Sequence, residues 1–150
     1  NLPVVAIYPN ADLGGLEMIK ILERENSNNA NFAIYKSLPR EDFLKLETSC
    51  AVWVGNSSAG MIESVSFGVP VVNVGDRQLG REHGSNVINV GYNKNVIFKA
   101  IKRSLYDKKY LSKLKKISNP WGDGKTAKRI VRILENLKID GELIKKQITY

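Results

Sequence analysis

Five short apolar runs punctuate the chain: VVAIY (4–8), NFAIY (31–35), CAVWV (50–54), VPVVNV (69–74) and NVINV (86–90). Each is rich in Val or Ile and nearly continuous in apolarity, the pattern of parallel strands covered on both faces rather than of strands with one wet face. Between the runs, Leu13–Glu25, Pro39–Glu47 and Ala59–Phe67 read as helices. Pro39 suits a first helical position, with Glu41 and Asp42 in the first turn where the helix dipole favours acids. The order is βαβαβαβ, a longer loop, a last strand, and helices from about residue 94, which predicts a doubly wound α/β sheet.

A chain of 150 residues fits one compact domain able to bury roughly two thirds of the surface its unfolded form exposes. No apolar run approaches the ~18–20 residues of a membrane span, and NLPVVAIYPN lacks the basic stretch and cleavage site of a secretory signal, so a cytoplasmic protein without a membrane partner is expected. The single cysteine, Cys50, has no partner for a disulfide or a Cys-based metal site, and its place at the head of CAVWV predicts a core position. Neither a metal nor an organic cofactor is expected. The net charge of +8 is uneven: from Lys99 onward 15 Lys and Arg face 5 Asp and Glu, whereas residues 1–98 carry 8 against 10. Clustered cations can attract nucleic acid. In GKTAKRIVRILENLKID, however, Ala127, Ile130, Val131, Leu134 and Leu137 keep helical spacing while the cations fall largely elsewhere, so the lysines read as solvated helix faces and no nucleic acid is expected as a partner.

Glycine-rich punctuation falls where open α/β sheets bind ligands, at the carboxyl ends of strands: PNADLGG after the first, GNSSAG after the third and GDRQLGREHG after the fourth. A strand turning directly into a helix leaves unpaired N–H groups that suit an anion. Gly55 and Gly60 permit close approach, Ser57 and Ser58 can donate to phosphate oxygens, and Glu63, about one and a half turns along, can accept from sugar hydroxyls. One of the two serines could equally be a plain N-cap. A nucleophile elbow is a third reading, but GNSSA ends in alanine where that motif needs glycine, and its acid and base would be Asp76 and His83, crowded into one loop. Arg77 and Arg81 in the next loop add forked donors suited to phosphate.

GNSSAGMIESVSFGVPVVNVGDRQLGR, with YPNAD upstream and NPWGDGKTAKRI downstream, resembles the UDP-N-acetylglucosamine 2-epimerases, and GNSS followed by GDRQ.GR is similar to their hydrolysing branch, that of sialic-acid and nonulosonate synthesis. The resemblance implies the C-terminal half of a GT-B-like fold, a Rossmann-like domain that holds the nucleotide. It implies that Ser57 and Ser58 contact the diphosphate, Glu63 the ribose and Arg77 the phosphate side, that Asn10 lines the cleft, that the backbone near Leu38 meets the uracil, and that Arg40 can stack on the base. His83 matches no catalytic position of the family. The implied reaction is anti elimination of UDP from the UDP-sugar substrate to a glycal, then hydration to N-acetylmannosamine or a related sugar. The resemblance further implies a homodimer or higher oligomer for the full-length protein. Residues 1–150 are then one nucleotide-sugar-binding domain without the N-terminal domain that carries the catalytic acids, and without the first βα unit of its own sheet. A missing central strand between VVAIY and CAVWV leaves two outcomes: a sheet of flavodoxin-like order, or a damaged sheet exposing two edges. Readings of another class are a non-catalytic nucleotide-sugar sensor or assembly module, and a GT-B glycosyltransferase.

Overall fold

The computed structural model describes residues 2–145. The chain divides into two compact units, the first ending at Cys50 and the second beginning at Ala51.

In the first unit β1 (Val4–Ile7) and β2 (Phe32–Tyr35) pair in parallel, Val4 opposite Phe32 and Ile7 opposite Tyr35. They are joined by α1 (Gly15–Asn28) and followed by α2 (Arg40–Ser49). Helix α1 starts two residues later than the pattern predicts, because Leu13 and Gly14 are used in a turn in which the Gly15 N–H donates to the Asp12 carbonyl at 2.9 Å. Gly14 has φ +85°, and a Cβ on Gly15 would lie 2.7 Å from the Asn10 carbonyl oxygen, so the GG pair is required by the backbone here. Pro39 is not the first helical residue. Its ψ of 148° is extended, which makes it the N-cap residue, and its carbonyl accepts from the Phe43 N–H at 2.9 Å to close the first turn. Cys50 is half-buried rather than core: it caps the C-terminus of α2, its thiol donating to the Glu47 carbonyl at 3.3 Å. Burial first, then the nearby Glu47 charge, pushes that thiol's pKa up.

The second unit holds β3 (Trp53–Gly55), α3 (Ser58–Ile62) running on into a 3₁₀ turn Ser64–Phe67, β4 (Val71–Val74) and β5 (Val87–Val90). Then come α4 (Lys94–Tyr106), α5 (Lys108–Leu114), α6 (Thr126–Glu135) and α7 (Gly141–Ile144). Its sheet is parallel in the order β3-β4-β5, with Val71 between Trp53 and Val87. Because side chains alternate along a strand, β4 feeds two cores. Val71 packs with Met61 and Val87 under α3, and Val72 with Val90 and Ala100 under α4. Burying each such side chain contributes roughly 1.5–3 kcal/mol, and here β4 is buried from Val71 to Asn73. At the end of the 3₁₀ turn Gly68 has φ +65° and donates its N–H to Ser64 and Val65, a left-handed cap that a larger residue would strain.

All five predicted strands form, within a few residues of the apolar runs, but in two sheets and not one. Among the described residues β1 hydrogen-bonds only to β2, and β3 only to β4. The basic C-terminal helix also departs from expectation. Its cations are solvated, yet α6 buries no residue, and Ile130, Val131, Leu134 and Leu137 are exposed along with the lysines.

Candidate functional site

The serine loop begins where β3 ends at Gly55. Ser57 is the N-cap of α3: its backbone is extended and its Oγ accepts from the Ala59 N–H at 3.3 Å. The capping reading and the cradle reading therefore fall on the same residue. Ser57 is exposed, Ser58 is half-buried as the first residue of α3, and Glu63 follows half-buried at the junction with the 3₁₀ turn. Gly60 lies beneath: a Cβ there would meet the Trp53 indole at 3.4 Å, so a small residue lets α3 settle on β3.

The loop after β4 grips this turn. Arg77 Nη1 donates to the Asn56 carbonyl at 3.1 Å, and Gln78 Nε2 donates to the same oxygen at 2.8 Å. Arg77 is exposed and Gln78 is buried. GNSSAG and GDRQLGR are thus joined at two neighbouring strand ends. Gly75, with φ +86°, makes the bend out of β4 that starts the second loop.

Asn86, fully buried, ties the far side of α3 to the loop before β5. Its Nδ2 donates to Ser64 Oγ at 2.8 Å and to the Val69 carbonyl at 2.7 Å, while its own carbonyl accepts from Tyr110 Oη at 2.7 Å. Burial pushes the Tyr110 hydroxyl's pKa up, partly offset by the Arg103 charge. His83 belongs to another chain of bonds. Its Nδ1 faces the Gly84 carbonyl at 2.9 Å, which can only accept, so Nδ1 carries the proton and Nε2 accepts from Asn89 Nδ2 at 3.0 Å. Asn73 Nδ2 in turn donates to Asn89 Oδ1 at 2.8 Å. With both ring nitrogens engaged there, and with Asp76 accepting from Tyr92 Oη at 3.0 Å, these residues do not form a relay onto Ser57. The geometry does not assemble a nucleophile elbow.

In the first unit Asn10 stands exposed in the loop after β1, and Leu38 half-buried in the loop after β2. Arg40 opens α2 with its guanidinium 5.8 Å from the centroid of the Phe43 ring, so its stacking partner in this structure is Phe43. Each lies at the carboxyl end of its own strand pair. All of Ser57, Ser58, Glu63 and Arg77 lie in the second unit, where the Arg77 side chain reaches the backbone next to Ser57 and Glu63 ends α3. Sequence reasoning missed Gln78, Asn73 and Asn89. Gln78 had a signal, its place next to Arg77 in a glycine-bounded loop, but nothing marks which of two adjacent polar residues turns inward. Among the described residues no three His, Cys, Asp or Glu gather as a metal set, and no helix is long and apolar enough to cross a membrane.

Residues 1–135 match the model of the UDP-N-acetylglucosamine 2-epimerase family. The whole chain is 35% identical over 150 residues to a Legionella pneumophila protein named UDP-N,N'-diacetylbacillosamine 2-epimerase (hydrolyzing), of which it covers 38%. Over 101 residues, 67% of the chain and 26% of the relative, it is 37% identical to a UDP-N-acetylglucosamine 2-epimerase of Neisseria meningitidis. Among solved structures, a UDP-GlcNAc 2-epimerase from Neisseria meningitidis bound to UDP-GlcNAc superposes with a TM-score of 0.67 at 20% identity, over 91% of this chain and 45% of that one, which supports the fold. The chain spans less than half the length of each of these proteins. A serine loop locked to an arginine loop at the strand ends of a parallel α/β sheet, in a sequence that matches from its first strand to α6, places the chain in the UDP-N-acetylglucosamine 2-epimerase family.

Proposed function

We propose that this chain is the nucleotide-binding part of a hydrolysing UDP-sugar 2-epimerase, one that releases UDP and N-acetylmannosamine or a related N-acetylated sugar. The observation that carries the reading is the clamp on the serine loop, in which Arg77 and Gln78 converge on the Asn56 carbonyl. A flexible loop would lose ordering entropy on taking up an anion, whereas a clamped one has lost it already on folding. Ser57 and Ser58 receive the diphosphate on hydroxyl and backbone donors, and Glu63 accepts from the ribose hydroxyls. Arg77 supplies positive charge where UDP departs with its electron pair, the point at which the transition state most needs it. Asn10 in the cleft, and Leu38 and Arg40 at the uracil, rest on the family resemblance.

Elimination across C1–C2 also needs a base and an acid to move protons, and these are assigned to sequence outside these 150 residues. The chain alone is therefore expected to bind UDP and to leave UDP-N-acetylglucosamine unchanged. Calorimetry of UDP binding to the unaltered chain and to Glu63→Ala tests the reading. We expect the substitution to weaken binding about tenfold, the range of a lost hydrogen bond to a charged group. Equal affinities would remove Glu63 from the ribose, and no binding by the unaltered chain would sink the function.

A further inference from the structure

Gln78 is the one large polar side chain of the GDRQLGR loop that turns inward, with 6% of its surface exposed. Its amide orientation is fixed by chemistry, because the Asn56 carbonyl can only accept and so must face Nε2. Its Oε1 is left buried without a hydrogen-bond partner. A buried unsatisfied acceptor costs about 1–3 kcal/mol, so the amide sits here at some cost to stability. The bond it does make acts on one peptide plane. In a trans peptide the carbonyl of Asn56 and the N–H of Ser57 are rigidly opposed, so a donor that holds the oxygen aims the Ser57 N–H the opposite way, off the Gln78 side of the loop.

Arg77 holds the same oxygen but is exposed, so its bond competes with water, and its charge is the one an incoming phosphate would draw away. We propose that Gln78 is the positioning residue of the serine loop: its buried amide keeps the Asn56–Ser57 peptide in the orientation that presents the Ser57 and Ser58 donors to a nucleoside diphosphate, whether or not Arg77 has turned to the ligand. This inference rests on the nucleotide-binding reading above and adds a division of labour within it. Arg77 supplies charge, and Gln78 supplies geometry.

The test is a double-mutant cycle on UDP affinity in the full 150-residue chain, using Gln78→Met, which keeps the length and bulk but removes the donor, and Ser57→Ala. We expect Gln78→Met to weaken UDP binding about tenfold at an unchanged melting temperature or a higher one, and the double variant to be little weaker than the worse single, because both changes disable one loop. Losses that multiply independently would show a merely structural role and overturn the proposal, as would unaltered affinity in Gln78→Met. Should the methionine variant not fold, Gln78→Asn keeps the amide one methylene short of Asn56, and the same outcomes decide. Failure of the unaltered chain to bind UDP would instead remove the functional reading and this inference with it.

Discussion

Asn86 shows how a single buried amide can hold a site it does not touch. Its Nδ2 bridges Ser64 Oγ in the turn after α3 and the Val69 carbonyl before β4, so it fixes the helix that follows the serine loop against the strand that precedes the arginine loop. Gly84 lies against it so closely that a Cβ would meet Asn86 Oδ1 at 2.6 Å and Val65 Cγ2 at 2.5 Å, and even alanine there would displace the bridge. Asn86→Ala strands the Val69 carbonyl and one side of Ser64 in a dry interior, and should cost about 2–4 kcal/mol, two unmade buried bonds. Tyr110→Phe removes one bond to the Asn86 carbonyl and should cost about 1 kcal/mol. Urea unfolding of the two variants checks the order, and a tyrosine change larger than the asparagine one would contradict it.

At the scale of elements, α6 is held at its N-terminal end and not by a buried face. Ahead of its first residue Asp123 accepts from the Lys125 N–H at 3.1 Å and grips Arg129 with both oxygens, at 2.9 and 2.7 Å. The Arg129 guanidinium first, then the Lys125 N–H, hold the Asp123 carboxyl below its ordinary pKa of 3.8. A carboxyl whose pKa is lower folded than unfolded stabilises the fold above the ordinary value, and that contribution disappears as pH falls from there through the lowered value. The α6 amide resonances should therefore be steady from pH 7 to about 4, and shift toward coil only below it. Asp123→Asn should give a weaker α6 that no longer responds in that range, and the same acid transition in both proteins would refute the link. The sequence carried this element's period but not its environment. Ile130, Val131 and Leu134 keep helical spacing whether or not anything covers them, so periodicity predicts a stripe and says nothing of its partner.

Across the whole molecule, what the sequence revealed and what it hid divide along the same line. The five strands were readable because short, nearly continuous apolar runs are local signals, and the loops that hold Ser57 and Arg77 were readable because GNSSAG and GDRQLGR directly follow such runs. Which strands pair is a non-local property: VVAIY and CAVWV look alike in sequence, yet Val4 and Val5 are exposed in a two-stranded sheet while β4, read from VPVVNV, is buried in a three-stranded one. Two strands alone are marginal in water, whereas a central strand with helices on both faces opens only when the unit unfolds. Native-state hydrogen exchange should therefore find the β4 ladder amides protected more than those of β1 and β2 by roughly two orders of magnitude or more, since local openings range from nearly free to the global unfolding energy. Addition of saturating UDP should raise protection at the Asn56–Ser58 amides and in β4, because a ligand held by the serine and arginine loops stabilises only states in which both are formed. Equal protection of β1 and β4 without ligand would mean that the two units unfold as one, against the division of the contacts at Cys50.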